Sequence, residues 1–389
     1  MEIRQAKSSE KKAIIDLWEY CFDDTQEFVE WFFRDRYQDD NTLVLYNKDR
    51  VCSALQLLPY NIAIRGREMS TSFMVGVSTW PEDRGQGYIS KLLQKSLEVM
   101  RNRRQWVSIL LPFNYNFYRK YGWETCYSYN LYSGHRRNFT EYLKGIEIQG
   151  RIRPIYLPQD LDQLNKCYSF YTKDLDGYVV RGEQDWHRIL TDIRLDGGNG
   201  YIYEKENQIV GYIFLEDNQG ELSIRTICSK DMETYREMLR FALNYGSKRD
   251  QVLLKDKSGL SSLPNITERN IVKQEKPFVM GRIVDVQKAL DKLPLAWDGE
   301  IVIQVIDPLL EWNNLKLALK GGKNGLSALP THRKADFDIS ISVLSQLLWG
   351  YYTPQELVGY KMIEIYNQRK IKSLENLFPS KTTYIYEDY

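Results

Sequence analysis

The chain has 389 residues, of which 43 % are hydrophobic and 27 % charged, with a formal net charge of +1. The length suits two or three folded domains. The near-zero charge gives no reason to expect nucleic acid or an anionic membrane surface as a partner.

Ser8 or Ser9 is placed to cap a first helix running through Cys21, with Ile14, Leu17 and Trp18 on one face. A second helix is expected after Asp24-Thr25. It carries Phe28, Trp31 and Phe32 beside Asp23, Asp24, Glu27 and Glu30. That mixture suits either a cationic amine with an apolar body or a solvated acidic face over a core stripe. Asp24, Glu27, Phe28 and Trp31 are the candidate substrate-binding residues. Strands follow at Thr42–Tyr46, Val51–Pro59 and the run into Val77.

Next comes Val75-Gly76-Val77-Ser78-Thr79-Trp80-Pro81-Glu82-Asp83-Arg84-Gly85-Gln86-Gly87-Tyr88, read as a buried strand, a glycine loop and a helix start. Ile89, Leu92, Leu93, Leu97 and Met100 fall on one helical face beyond it. Backbone N–H groups at such a turn and helix N-terminus converge on one point that favours negative charge. Gly85 and Gly87 let a phosphate approach the backbone, and Arg84 can add a charge-assisted contact. The same residues also suit a plain strand–turn–helix connection. The loop is neither a Walker sequence nor a dinucleotide fingerprint. A buried strand, Trp106–Leu111, follows the helix, and then Asn114-Tyr115-Asn116-Phe117-Tyr118-Arg119-Lys120-Tyr121-Gly122-Trp123.

The stretch from about Arg151 to Arg282 reads as a degenerate repeat. It has a helix at Leu161–Tyr171, strands at Tyr201–Glu204, Ile209–Glu216 and Leu222–Ile227, and a helix at Met232–Tyr245. Its loop, Cys228-Ser229-Lys230-Asp231, has no glycine, and Asp231 with Glu233 would oppose a phosphate. An unrelated α+β domain is the other reading of this segment. From Ile283 onward a helical face of Val286, Ala289, Leu290 and Leu293 precedes strand-like Glu300–Asp307 and Asp336–Ser342. Val343, Leu344, Leu347 and Leu348 form an apolar patch. Thr353-Pro354-Gln355-Glu356 is a capping-box helix start, and Thr382–Tyr386 reads as a terminal strand.

Cys21, Cys52, Cys126, Cys167 and Cys228 are scattered without a CxxC pair, as expected of reduced buried thiols. His135, His187 and His332 form no HxH or HExxH spacing, so no metal site is expected. No apolar run approaches membrane length, and Met1–Lys7 carries no signal core. A cytoplasmic protein without membrane partners is the expectation.

The glycine loop resembles the pyrophosphate-binding loop of GNAT-type N-acetyltransferases, whose pattern is Gln/Arg-x-x-Gly-x-Gly/Ala. Gly85 and Gly87 match, and Glu82 departs at the first position. With Phe117–Trp123, the degenerate second lobe and the entry Arg282-Ile283-Val284-Asp285-Val286, the layout resembles the Eis-like (enhanced intracellular survival) acetyltransferases. The resemblance implies an α/β (α+β) fold: two tandem GNAT lobes at 1–142 and 151–282, then a sterol carrier protein-like domain at 283–389. It implies acetyl-CoA as donor and an aminoglycoside, polyamine, lysine-like or peptidyl primary amine as acceptor. Val75, Gly76, Val77, Asp83, Arg84, Gly85, Gln86, Gly87, Tyr88 and Asn114 would hold the donor. Tyr118 would be general acid, with Tyr115 and Tyr121 as fallback donors, and the C-terminal carboxylate of Tyr389 the base. Members of this group often form homo-oligomers. A non-catalytic protein holding a lipid or a partner in its C-terminal domain is the alternative.

Overall fold

The computed structural model describes residues 1–218, 220–245, 250–258 and 263–387. It divides into two compact units. One is built from Met1–Tyr127 and Phe278–Lys381 and the other from Ser128–Pro277 with Thr382–Glu387.

The first unit opens with β1 (Glu2–Gln5), α1 (Lys11–Cys21) and α2 (Gln26–Trp31). Neither early serine caps α1. Ser8 Oγ donates to Asp39 instead, and the Glu10 carboxylate accepts the Lys7 N–H at 2.8 Å. Thr25 caps α2 by accepting from Phe28 N at 3.2 Å. Strands β2 (Thr42–Asn47), β3 (Arg50–Ile64) and β4 (Arg67–Thr79) form antiparallel neighbours. The β3–β4 hairpin is longer than its sequence suggests. Pro59 does not end the strand because it is exposed, and the turn comes later at Arg65 and Gly66, both at positive φ.

Helix α3 (Tyr88–Asn102) buries the predicted stripe of Leu92, Leu93, Leu97 and Met100. It leads into β5 (Val107–Leu110), which runs parallel to β4. Helix α4 (Tyr115–Arg119) and β6 (Glu124–Thr125) follow, and the strand Met280–Ile283 inserts between β5 and β6.

The rest of this unit is a five-stranded sheet carrying the helix Ile341–Trp349, whose residues are nearly all buried. The stretch read as one strand, Asp336–Ser342, is a strand only over Phe337–Ser340. Ser340 then caps that helix by accepting from Val343 N at 3.3 Å. Thr353 and Glu356 make the expected capping box. Arg65, from the β3–β4 turn, donates to the carbonyls of Leu347, Leu348 and Pro379 at 2.7, 2.9 and 2.7 Å, satisfying the helix's C-terminal carbonyls.

The second unit is a seven-stranded sheet. Strands Glu221–Ser229 and Gln251–Lys257 pair in parallel around helix Met232–Tyr245, the same strand–helix–strand order as β4–α3–β5. Here the helix start is closed by its own side chain, because Asp231 Oδ1 accepts from Thr234 N at 2.7 Å. The segment Thr382–Glu387 is no regular strand. It makes one bridge, Asp176 with Thr383, and is held by packing of Tyr384 and Tyr386 into the core. A nearly fully buried ion pair, Arg181 Nε to Glu387 Oε1 at 2.7 Å, anchors its end.

Candidate active site

Strands β4 and β5 pair only from Thr71–Val107 to Met74–Leu110. β5 stops there while β4 continues to Thr79, so among the described residues the last five of β4 run on without a strand neighbour on that side. Across the other edge, Gln56 faces Val75 but Ala54 faces Ser78. One extra residue on β4 makes a bulge at Gly76–Val77, turning its backbone groups out of the ladder. Gly76 has φ +60°, and a β-carbon there would stand 2.1 Å from Gln56 Oε1 and 2.3 Å from Trp18 Cζ3. Only glycine fits.

Beyond Thr79 the chain makes a short turn at Pro81–Asp83 and enters the glycine loop. Gly85 (φ +77°) and Gly87 (φ +73°) are both left-handed, and no atom lies within 4 Å of a β-carbon built on either. Their role is therefore conformational, and the space beside them is open. Gly87 is the N-cap of α3, and the first intrahelical bond runs from Lys91 N to Gly87 O. A glycine has no side chain to cap the first-turn N–H groups, and the helix dipole makes that spot favourable for an anion.

The loop opens into a cleft of about 310 Å³. Five sequence-predicted residues meet there: Asp83, Arg84, Gly85, Gly87 and Tyr88. Gln86 is exposed beside it, while Val75, Gly76 and Val77 lie on the β4 bulge behind. Thr79, Ile89, Ser90 and, from across the cleft, Phe117 and Tyr121 complete the lining. Tyr121 had been singled out only as a substitute proton donor.

The Asp83 carboxylate is buried and would repel an anion, but Arg50 Nη2 lies 2.5 Å from it and also reaches Glu82 at 3.1 Å. One guanidinium thus pairs with both carboxylates of the loop and offsets part of their charge. Arg50 had no sequence signal, since it sits at a hairpin 33 residues upstream. Arg84 braces the loop through Nε, which donates to the Thr79 carbonyl at 3.2 Å.

Tyr118 lies on α4, 2 % exposed and ringed by Phe113, Phe117 and Trp123 at centroid distances of 5.6, 5.2 and 6.3 Å. Burial in this apolar shell pushes its phenol well above the usual tyrosine range, so it holds its proton. Asn114 is engaged as the α4 cap, accepting from Phe117 N at 3.1 Å, and so sets where Tyr118 sits. Tyr115 donates to the Phe278 carbonyl at 3.1 Å. Tyr389 lies outside the described residues.

Of the four candidate substrate residues, Phe28 and Trp31 are core side chains in an aromatic cluster with Phe32 and Trp18. Asp24 accepts from Trp18 Nε1 at 2.8 Å, fixing the ring that abuts Gly76. Glu27 is exposed. Gln56 escaped the sequence reading although a polar residue inside Val51–Leu58 is a visible anomaly. It is buried, and both its amide atoms lack a hydrogen-bond partner among the described residues. No group of histidines, cysteines and carboxylates among the described residues could hold a metal, and no described helix is long and apolar enough to cross a membrane.

Residues 2–126 match the family described as acetyltransferase (GNAT) domain, and residues 286–386 match the sterol carrier protein domain. No curated protein matches the chain by sequence. Among solved structures, the fold is shared with a GCN5-related N-acetyltransferase from Anabaena variabilis (TM-score 0.87, 20 % identity, 100 % of both chains covered). A probable N-acyltransferase from Enterococcus faecalis has a TM-score of 0.86 at 19 % identity, covering 100 % of this chain and 99 % of that one. Eis1 from Mycobacterium abscessus has a TM-score of 0.79 at 16 % identity, again over 100 % of both. The chain thus carries an acetyltransferase (GNAT) domain at its N-terminal end and a sterol carrier protein domain at its C-terminal end, and over its whole length it shares the fold of these N-acetyltransferase structures and of Eis1.

Proposed function

We propose that the chain is an acetyl-CoA-dependent N-acetyltransferase for a primary amine of the aminoglycoside, polyamine or lysine-like class. The observation that carries this is the parting of β4 and β5 beyond Met74 and Leu110, next to a glycine loop and an α3 N-terminus with no side-chain cap. The donors in that cleft are backbone N–H groups with open space beside Gly85 and Gly87, which fits a pyrophosphate. Asp83 through Tyr88 would hold it, with Val75, Gly76 and Val77 along the pantetheine arm and Asn114 opposite. When bound, acetyl-CoA supplies the activated thioester.

The chain's own residues manage the protons of a direct attack without a covalent enzyme intermediate. Tyr118 keeps a proton on its phenolic oxygen for the departing sulfur. The Tyr389 carboxylate, with a reference pKa of about 3.3–3.7, is ionised at neutral pH and takes the proton of the attacking amine. The acceptor enters on the α1–α2 face. There Glu27 offers a carboxylate to a cation, and Asp24, Phe28 and Trp31 support that surface from within.

In this reading the catalytic lobe is the segment expected at 1–142, of which Ser128–Tyr142 folds into the second unit, 151–282 is a lobe without a cofactor loop, and 283–389 is the sterol carrier protein-like part. Asp231 at the second helix start supports the assignment of the middle lobe, because its carboxylate fills the place an anion would take. A cytoplasmic location follows the sequence expectation above, and homo-oligomeric assembly rests on the resemblance. A thiol-release assay with acetyl-CoA across a panel of aminoglycosides, polyamines and lysine peptides tests the function. Absence of thiol release with every amine would overturn it.

A further inference from the structure

The second unit carries a cleft of about 510 Å³ that the acetyl-transfer reaction does not use. Its walls bring together four cationic side chains, Arg136, Arg137, Lys144 and Arg240, against two carboxylates, Glu141 and Asp250. The carboxylates do little to balance Arg137, Lys144 and Arg240. Glu141 Oε1 is engaged by Arg269 Nη1 at 3.4 Å, and Asp250 is 85 % exposed, 4.0 Å from His135. Among the described residues, Arg137, Lys144 and Arg240 have no ion-pair partner.

The cationic wall is also held in place. Arg136 Nη1 donates to the Leu243 carbonyl at 2.6 Å, and its peptide N–H donates to the Asp250 carbonyl at 2.7 Å. His135 Nδ1 accepts from Arg137 N at 3.3 Å, which leaves Nε2 as a donor in the neutral ring. The Thr140 hydroxyl lies in the same wall.

We propose that this cleft binds a small phosphate-bearing anion with more than one phosphate group. Guanidinium forks, an ammonium, an imidazole N–H and a hydroxyl are all donors suited to phosphate oxygens. The volume lies within the range of about 300–1,000 Å³ usual for small-ligand sites. Among the described residues no aromatic side chain lines the cleft to stack a nucleobase, which argues against single-stranded nucleic acid. The site is separate from the glycine loop of the catalytic lobe, and it does not depend on the function proposed above.

The test is calorimetric titration with inorganic pyrophosphate of the full chain and of Gly85→Glu, in which a carboxylate occupies the glycine loop. Binding is expected to remain in Gly85→Glu, and to weaken as salt rises. The double variant Arg137→Gln/Arg240→Gln should bind roughly tenfold more weakly or worse, as expected for two lost charge-assisted contacts. Asp250→Asn should bind more tightly, a gain that misfolding cannot produce. Pyrophosphate binding that vanishes in Gly85→Glu, or that is unchanged in the double variant, would overturn the proposal.

Discussion

Trp18 and Gly76 are in direct contact: a β-carbon on Gly76 would stand 2.3 Å from Trp18 Cζ3. The indole is fixed from its other end by Asp24, at 2.8 Å from Nε1. The ring therefore cannot retreat, and the β4 bulge depends on the glycine. Gly76→Ala should cost about 2–5 kcal/mol, combining the left-handed backbone penalty with overpacking. It should also abolish thiol release. Urea denaturation checks the first expectation, and an unshifted midpoint would count against the packing argument.

Gly85 poses the opposite case, since a β-carbon there meets nothing. Gly85→Glu should cost only the left-handed backbone penalty, about 1–2 kcal/mol, and sharply raise the KM for acetyl-CoA, by putting a carboxylate where a pyrophosphate is proposed to sit. Wild-type affinity for acetyl-CoA in this variant would remove the loop from the donor site.

Tyr118→Phe should lower kcat by roughly 10²–10⁴-fold, the usual contribution of a positioned acid, with little change in KM for acetyl-CoA. The pH dependence has a definite sign. The acid works in its protonated form, and burial raises its pKa above the usual value, so the active form extends upward in pH. The wild-type profile should show no alkaline fall near the ordinary tyrosine value of about 10. A limb at that value, lost in Tyr118→Phe, would contradict the burial argument.

Removing Tyr389, or extending the chain past it, should collapse kcat while acetyl-CoA still binds. Full turnover in a C-terminally extended protein would rule out the terminal carboxylate as base.

Arg282 Nη2 donates to both carboxylate oxygens of Asp307, at 2.9 and 2.7 Å, and both side chains are without solvent exposure. Arg282 Nη1 also donates to the Tyr121 carbonyl at 2.5 Å, in the space left by Gly122. Arg282→Met strands a buried carboxylate and should destabilise the chain by about 3–5 kcal/mol. Arg282→Met/Asp307→Leu should recover a large part of that loss. Thermal denaturation of both variants distinguishes a stranded charge from lost packing.

Much of the catalytic lobe was legible because its signals are local. The α3 stripe declared its buried face through helical spacing, and Leu92, Leu93, Leu97 and Met100 are all in the core. The β3–β4 hairpin was not, since Pro59 imitates a strand end and the real turn at Arg65-Gly66 is only two residues long. Phe28 and Trp31 fitted both a binding surface and a core stripe, and sequence offered no way to choose. The structure puts their side chains in the aromatic core.

The sequence alone marked a glycine loop at Gly85 and Gly87, the helix that follows it, and a second helix start carrying Asp231 instead of glycine. Backbone preference and periodicity are written within a few residues, so they survive without a partner. Only the tertiary structure decided that Arg50 pairs with Asp83, that Trp18 and Gln56 crowd Gly76, and that Phe117 and Tyr121 close the cleft opposite the loop. Arg50 and Asp83 are 33 residues apart, and Tyr121 and Arg282 are 161. Strand register and packing bring such groups together, and no local pattern encodes them.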